Sequence, residues 1–282
     1  MQISDALALS TTLLEVSDSP KKDLELILCH ILEKPPSYLM TWPEKALSSD
    51  QLERFQACLS RRTKGEPVAY ILGYRGFWTL DLEVTPDTLI PRSDTEVLIE
   101  IALARFDQSP RRVADLGTGT GAIALALASE RPSWDIWGCD RIPAAVALAK
   151  RNQARYQLLN VSFVEGDWLS PLDGQFDLIV SNPPYIDPQD CHLQQGDVRF
   201  EPLSALVADE HGLADIKLIA TQALPFLKPE GCLMFEHGYN QGEAVRQLLA
   251  MLGYHQIETH QDYGGNDRIT LGCKQGGLDN VE

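Results

Sequence analysis

The sequence predicts an α/β protein in which an open, largely parallel sheet follows a small helical domain. Strand-like and helix-like segments alternate from residue 111 onward, as they do in parallel sheets with crossover helices. A glycine-rich turn joins the first of these strands to its helix, and apolar residues before residue 72 recur at helical spacing. The 282 residues are enough for one sheet domain of ordinary size and a smaller domain.

The N-terminal part, residues 1–72, is predicted to be helical, with helices over 3–16 and 22–33. Ser48 and Gln51 have the spacing of a capping box ahead of a further helix. The sequence of this part contains no catalytic constellation. It is therefore interpreted either as a structural lid or as a docking surface for a protein substrate.

A linking β-hairpin is predicted over residues 73–92, with strands at 77–80 and 81–84. The strands of the sheet are predicted to begin at Arg112 and to continue at 134–139, 161–165, 176–181, 232–235, 255–259 and 268–271. The sheet domain then covers residues 93–274. The polar residues 275–282 are predicted to form a disordered tail.

The glycine-rich turn has the pattern D-x-G-x-G-x-G, whose glycines let the backbone turn tightly and approach a ligand closely. A nicotinamide dehydrogenase would show G-x-G-x-x-G instead. A carboxylate ahead of the glycines suits a cofactor that carries an amino acid ammonium and no pyrophosphate, such as S-adenosylmethionine. Asp140, about twenty residues further on, stands where an acidic residue accepts ribose hydroxyls. The predicted cofactor contacts here are Asp115, Gly117, Thr118, Gly119, Gly121 and Asp140.

A further pair of candidates, Asp167 and Trp168, follows the next strand of the predicted sheet. In open α/β sheets, ligands bind beyond the carboxyl ends of the strands. Four such ends carry polar side chains, namely Asp115, Asp140, Asp167 and Asn182, and Asn182 is predicted to contact both the cofactor and the substrate. We expect Asp167 to accept the amino group of an adenine and Trp168 to pack on its ring. An ordinary core aromatic is the alternative interpretation of Trp168.

The run Asn182-Pro183-Pro184-Tyr185 predicts a substrate site for a planar NH₂ group. The Asn182 side-chain carbonyl can accept one N–H, and the main-chain carbonyl of Pro183 can accept the other. Pro183 and Pro184 restrict the loop to one shape, so both acceptors are in place before the substrate arrives. Tyr185 adds an aromatic face for stacking. The pattern favours methyl transfer to a conjugated nitrogen, with Asn182, Pro183 and Tyr185 as catalytic residues; a simple strand-ending turn is the plain alternative.

Composition narrows the function further. The formal net charge of −16 opposes general nucleic-acid binding, which depends on clustered Lys and Arg. The six cysteines form no Cys-x-x-Cys pair, so neither a disulfide nor a metal site is expected. No apolar stretch reaches membrane-spanning length and no secretion signal opens the chain, which predicts a cytoplasmic protein without membrane partners.

These motifs resemble those of class I S-adenosylmethionine-dependent methyltransferases that modify amino groups. Longer segments make the chain similar to the peptide chain release factor glutamine methyltransferases, the PrmC or HemK family; these are residues 65–73, 89–92, 200–203, 236–238 and 262–264. The resemblance implies a Rossmann-like seven-stranded class I methyltransferase domain, with an antiparallel last pair, joined by a β-hairpin to an N-terminal helical domain that docks the substrate. It also implies N5-methylation of the glutamine in the Gly-Gly-Gln motif of class I release factors.

Two positions depart from the family pattern. Ser93 stands where proline is usual, and Gly76 stands where glutamate is frequent. We expect Ser93 to form a capping box with Glu96 at the start of the next helix.

Two alternative functions stay open at this point. An adenine-N6 methyltransferase acting on DNA or RNA would bind a flipped-out adenine, whose amino group carries two N–H bonds as a glutamine amide does. The negative net charge of the chain opposes this function. A noncatalytic S-adenosylmethionine-binding module is the other, although the intact run from Asn182 to Tyr185 opposes it. Arg92, Glu201 and Glu236 are interpreted either as cleft residues or as ordinary ion pairs.

Overall fold

The computed structural model describes residues 1–276, which form two compact units. The first unit consists of Met1–Tyr74 together with Cys191–Phe200, and the second contains the rest of the described chain. The predicted tail lies outside the described residues from residue 277 onward. No helix within residues 1–276 combines the length and the apolar character needed to cross a bilayer.

The first unit contains five α-helices: α1 (Ile3–Ala8), α2 (Pro20–Leu32), α3 (Pro36–Thr41), α4 (Ser49–Arg62) and α5 (Val68–Leu72). The predicted capping box ahead of α4 is confirmed, since Gln51 N donates to Ser48 Oγ and Ser48 N donates to Gln51 Oε1. The predicted helix over 3–16 is wrong in length. It continues after Ala8 only as a 3₁₀ helix, where the Thr11 and Thr12 hydroxyls donate to main-chain carbonyls and compete with the α-helical pattern.

The linking hairpin consists of β1 (Tyr74–Phe77) and β2 (Leu80–Glu83), so the predicted strands at 77–80 and 81–84 were shifted along the chain. Trp78 occupies the turn with a left-handed φ of 56°. Its N–H donates to Glu96 Oε1 at 2.8 Å. The capping box expected between Ser93 and Glu96 is therefore wrong, because the hairpin turn takes the carboxylate and Ser93 lies in a short 3₁₀ segment.

All seven strands predicted for the sheet are confirmed. They are β3 (Arg112–Leu116), β4 (Asp135–Asp140), β5 (Val161–Glu165), β6 (Phe176–Ser181), β7 (Leu227–Glu236), β8 (His255–Gln261) and β9 (Asp267–Cys273). Their order is β5-β4-β3-β6-β7-β9-β8, and only the pairs with β9 are antiparallel. The implied seven-stranded methyltransferase sheet with an antiparallel last pair is thus the observed fold.

Helices cover both faces of the sheet, as a parallel sheet requires. They are α6 (Glu96–Arg105), α7 (Ala122–Glu130), α8 (Pro143–Tyr156), α9 (Asp209–Gly212), α10 (Ala214–Phe226) and α11 (Gly242–Met251). Successive residues of the strands belong to different cores. Leu178 and Val180 of β6 join the core that contains α7, whereas Ile179 joins the core that contains α10. Because β3 to β6 run parallel, their carboxyl ends meet at one edge, which is where the predicted site residues lie.

The structure contains one disulfide among the described residues, between Cys232 and Cys273. The expectation of no disulfide was therefore wrong for this pair. The two residues are 41 positions apart, and only the antiparallel register of β7 and β9 sets them directly opposite each other. Cys139 is a free, buried cysteine, as an apolar strand position predicts.

Candidate active site

The glycine-rich loop connects β3 to α7 through three left-handed glycines. Gly117, Gly119 and Gly121 have φ values of 72°, 54° and 83°, a region that side chains with a Cβ rarely occupy. A Cβ at Gly117 would also stand 3.2 Å from the ring of Trp168. The loop can therefore hold this close turn beside the sheet only with glycine at these positions.

Asp115 supports this loop from the end of β3. Its Oδ2 accepts hydrogen bonds from the Thr118 hydroxyl at 2.6 Å and from Ala124 N at 3.2 Å. Burial raises the pKa of the Asp115 carboxyl to about 7. Within the described chain no group donates to its Oδ1, which is also buried. A cation bound nearby would stabilise this carboxylate.

Asp140 ends β4 and lies at the surface of the cavity. Its Oδ2 accepts the N–H of Gly119 and its Oδ1 accepts the N–H of Ile142, both at 2.9 Å. Burial raises the pKa of this carboxyl as well. Each oxygen keeps lone-pair capacity for a hydroxyl donor, because a carboxylate can accept about four hydrogen bonds.

One cavity extends over the loop and the neighbouring strand ends, with a volume of about 920 Å³ that includes solvent at its mouth. Predicted site residues on its surface are Gly117, Thr118, Gly119, Asp140, Asp167, Trp168, Asn182 and Pro184. Asp115, Gly121, Pro183 and Tyr185 do not line it. Asp115 and Gly121 shape the glycine loop instead, Pro183 is buried, and Tyr185 points its hydroxyl at Glu236.

The cavity has the features that a nucleoside-type ligand needs. Asp140 and Asp167 offer acceptors for hydroxyl and amino groups at separate places, and the ring of Trp168 adds an apolar wall. A Cβ at Gly119 would meet no neighbour closer than 3.9 Å, since the glycine faces open space. Trp168 also belongs to the core packed around α10, which confirms the core-aromatic interpretation; packing against an adenine ring stays a prediction.

Asn182 follows β6, whose end is tied to β3 because Ser181 Oγ donates to Leu116 O at 2.7 Å. Asn182 Nδ2 donates to Thr95 Oγ1 at 3.2 Å. Within the described part of the chain this is the one side-chain hydrogen bond of Asn182. Its Oδ1 is therefore left as an acceptor for a ligand in the cavity that Asn182 and Thr95 both line.

Tyr185 is held at both of its ends. Its hydroxyl donates to Glu236 Oε1 at 3.2 Å, and its main-chain carbonyl accepts Gln241 Nε2 at 3.0 Å. Burial raises the pKa of Glu236, a wholly buried carboxyl, and burial also raises that of Tyr185. These contacts fix the position of the aromatic ring at the end of the loop Asn182–Tyr185, which follows β6.

Arg92 and Glu201 form an ion pair, and Arg92 is in addition a cleft residue. Arg92 lines the cavity and also forms an ion pair with Glu201, whose side chain is fully buried. Glu201 in addition accepts the N–H of Ile90 at 2.8 Å. Glu201 therefore holds the segment that carries Arg92, a partly exposed residue on the cavity surface.

Sequence reasoning missed Thr95 and Gln241, and it left Glu236 without a role. Glu236 ends β7 at the same sheet edge as the other candidates, so its position at a strand end was a usable signal. Thr95 lies in a short 3₁₀ segment ahead of α6, and nothing in its local pattern indicates a link to residue 182.

Two family models match the chain. The first, described as the PrmC N-terminal domain, matches residues 5–73, and the second, the methyltransferase small domain, matches residues 93–198. A protein from Vibrio cholerae serotype O1 named release factor glutamine methyltransferase is 57% identical over 258 residues, covering 91% of this chain and 90% of that protein. A protein of the same name from Escherichia coli K12 is 53% identical over 92% of this chain and 94% of its own length.

A solved methyltransferase from Pyrococcus furiosus shares the fold. Its TM-score is 0.54 at 18% identity, and the match covers 81% of this chain and all of the other. At this identity the comparison bears on the fold alone. It agrees with the seven-stranded sheet described above.

Proposed function

Because the chain belongs to the release factor glutamine methyltransferase family, we propose that it transfers a methyl group from S-adenosylmethionine to the side-chain nitrogen, N5, of a glutamine. The substrate is the glutamine of the Gly-Gly-Gln motif in class I peptide chain release factors. The observation that carries this proposal is the anchored amide of Asn182. Its Nδ2 is occupied by Thr95, so its carbonyl oxygen is the atom available to an incoming NH₂ group.

An amide nitrogen is a weak nucleophile because its lone pair is conjugated with the carbonyl. Asn182 Oδ1 accepts one N–H of the substrate amide. The main-chain carbonyl of Pro183, a buried residue between the cavity-lining residues Asn182 and Pro184, accepts the other in this proposal. The two prolines hold these acceptors in place beforehand, which avoids reorganisation during the reaction. The face of Tyr185 packs on the planar amide and favours the positive charge that develops on the nitrogen.

Six residues on the cavity surface hold the methyl donor in this proposal. They are Gly117, Thr118 and Gly119 of the loop, Asp140 at the ribose hydroxyls, and Asp167 and Trp168 at the adenine. When bound, S-adenosylmethionine supplies an electrophilic methyl group on a sulfonium. The buried carboxylate of Asp115 lies behind the loop and adds negative charge near a cationic ligand.

The substrate nitrogen would form the new C–N bond as the methyl–sulfur bond of the sulfonium breaks, so that the sulfur leaves with the electron pair as a neutral thioether. The methylated nitrogen would then lose one proton to water. No strong base is required before attack, because the nitrogen becomes acidic only as it is methylated. Holding both reactants near contact distance supplies roughly 7–11 kcal/mol of the barrier reduction. Glutamate is rejected because its carboxylate would face two oxygen acceptors, a kind of mismatch that discriminates on the order of 10⁴–10⁵-fold.

The first unit serves as the docking surface for the release factor, and the reaction takes place in the cytoplasm, where translation ends. Support comes from three exposed apolar side chains of this unit, those of Leu14, Met40 and Trp42, of which Met40 is 84% exposed. The net charge of −16 supports a protein substrate over a nucleic acid.

The test is incubation with radiolabelled S-adenosylmethionine and, in separate reactions, a class I release factor, tRNA and duplex DNA. The expected result is label in the release factor, located by mass spectrometry on the glutamine of Gly-Gly-Gln. Label in nucleic acid alone would select the adenine-N6 alternative. Tight cofactor binding without transfer to any of the three would select the noncatalytic module.

A further inference from the structure

Two buried side chains connect Asn182 to Tyr185 across the sheet edge. Thr95 Oγ1 lies 2.6 Å from Glu236 Oε2, and it also lies 3.2 Å from Asn182 Nδ2. The other carboxylate oxygen, Glu236 Oε1, accepts the hydroxyl of Tyr185 at 3.2 Å. One carboxylate thus reaches both side chains that the proposed function assigns to the substrate amide.

The chemistry of these groups fixes the direction of each hydrogen bond. Both oxygens of Glu236 accept a hydrogen bond, since Thr95 Oγ1 donates to Oε2 and the Tyr185 hydroxyl donates to Oε1, so the single proton of the Thr95 hydroxyl is committed to Glu236. The lone pairs of Thr95 Oγ1 can then only accept, and Asn182 must turn its NH₂ group toward Thr95. If the Asn182 amide were rotated by half a turn, its Oδ1 would face Thr95 Oγ1, and neither oxygen would have a proton to donate to the other. Glu236 therefore decides which end of the Asn182 amide faces the cavity.

Burial makes this arrangement stiff. Thr95 is 4% exposed and Glu236 is 1% exposed, so water does not compete readily for these hydrogen bonds. In such an environment hydrogen bonds are electrostatically stronger, and leaving one group unpaired is costly. Burial raises the pKa of Glu236, whereas the hydrogen bond from Thr95 and the nearby guanidinium of Arg268, itself paired with Asp262 at 3.0 Å, oppose that rise.

We propose that Thr95 and Glu236 are positioning residues which hold the Asn182 carbonyl toward the substrate and so set the preference for an amide over a carboxylate. The inference rests on the proposed function and deepens it. Neither residue is required to touch the reacting atoms. Their effect is exerted through the orientation of Asn182 and of the Tyr185 ring.

Glu236→Gln is the sharpest variant because it reverses the hydrogen-bond direction with little change in shape. The new Nε2 donates to Thr95 Oγ1, so the Thr95 proton becomes free to point at Asn182. The Asn182 amide then gains by rotating, and its NH₂ group faces the cavity. Tyr185 can still donate to the remaining amide oxygen at position 236.

The experiment compares two forms of one full-length release factor, the natural Gly-Gly-Gln form as substrate and a Gly-Gly-Glu form as competitive inhibitor. In Glu236→Gln we expect kcat to fall about 10- to 100-fold, at or below the roughly 10²–10³-fold cost of removing a preorganised polar group outright, because Asn182 itself is still present. We expect the ratio of the inhibition constant of the Gly-Gly-Glu form to the KM of the natural form to fall at least about tenfold. Cofactor affinity, measured by calorimetry, should stay within about threefold.

Thr95 provides the second arm of the test. Thr95→Val keeps the shape and removes the hydroxyl, whereas Thr95→Ser restores a hydroxyl at the same position. We expect the serine variant to be at least about tenfold faster than the valine variant. Thr270→Val is the matched control, since it removes another buried hydroxyl that bonds His237 and does not line the cavity. Any loss it causes should be equal for both release factor forms.

Two results would overturn the inference. One is an unchanged preference between the Gln and Glu forms in Glu236→Gln, with both affinities reduced alike, which would make Glu236 a structural residue only. The other is equal turnover in the serine and valine variants of Thr95. A wild-type protein that leaves the release factor unmodified would instead refute the proposed function, so the two failures are distinguishable.

Discussion

Gly212 packs directly against the backbone of Tyr185. A Cβ at position 212 would overlap the Tyr185 carbonyl oxygen and would stand 2.7 Å from Gln241 Nε2, the amide that donates to that oxygen. Gly212 also has a left-handed φ of 82°. The loop Asn182–Tyr185 therefore packs against a residue that has no room for a side chain.

Gly212→Ala should displace the loop and impair turnover. Gly253 is the matched control, because its φ is 86° and no atom lies within 4 Å of its Cβ position. Gly253→Ala should cost about 1–2 kcal/mol of folding free energy from left-handed strain alone. Gly212→Ala should cost more and should lower kcat up to about 100-fold, because small misplacements of reacting groups are expensive. Urea unfolding and steady-state kinetics measure both; equal effects at the two positions would contradict the contact.

The disulfide between Cys232 and Cys273 predicts a thiol count. Denatured protein kept free of reductant should titrate as four thiols, and reduced protein should titrate as six. Cys232→Ser should lower the free energy of unfolding under oxidising conditions by about 2–4 kcal/mol, since the bond closes a loop in the unfolded chain. Excess dithiothreitol would reduce this bond in the wild-type protein too, so the same variant should have a much smaller effect under that condition. Six thiols without reductant would show that the pair is not bonded.

The burial of Asp115 predicts a pH dependence of stability in the cofactor-free protein. Its pKa rises from 3.8 to about 7 on folding, so the folded state holds the proton more tightly than the unfolded state. This contribution to stability is complete below about pH 4 and is lost as the pH rises to 7. In Asp115→Asn, which cannot ionise, the free energy of unfolding relative to wild type should rise over that range by up to about 4 kcal/mol. Urea titrations of both proteins from pH 4 to 7.5 measure this difference in the free energy of unfolding. A difference that does not change with pH would refute the prediction.

The docking role of the first unit predicts a split between protein and peptide substrates. Met40→Glu combined with Trp42→Ala should raise the KM for intact release factor at least about tenfold, as expected when exposed apolar anchors are lost. The KM for a short Gly-Gly-Gln peptide should stay the same. Leu159→Glu, at an apolar residue of the second unit that is 95% exposed, is the matched control. A similar rise in KM for both substrates, or for the control, would remove the argument for docking at this surface.

The periodic parts of the fold were predictable from the sequence. Alternating strand and helix patterns identified all seven strands of the sheet, and the capping box at Ser48 and Gln51 marked the start of α4 correctly. Short elements were harder. Helix α3 begins at Pro36, at a position where proline is favoured, and no separate helix was predicted over its residues.

The features missed in the site depend on contacts between distant residues. Thr95 and Glu236 are 141 positions apart, and no local pattern in the sequence links them. The same applies to Cys232 and Cys273, whose pairing follows from strand register. The inclusion of Cys191–Phe200 in the first unit is a further case, since an ion pair between Arg62 and Asp197 joins segments far apart in the chain.

The most direct test of the amide-holding site is Asn182→Ala, assayed for methylation of the release factor and for cofactor affinity by calorimetry. Loss of the oxygen acceptor should lower kcat at least about 100-fold, the usual cost of removing one preorganised polar group. Cofactor affinity should stay within about threefold, since Asn182 acts on the substrate. Equal losses in turnover and in cofactor affinity would contradict the account and would make Asn182 a part of the cofactor pocket.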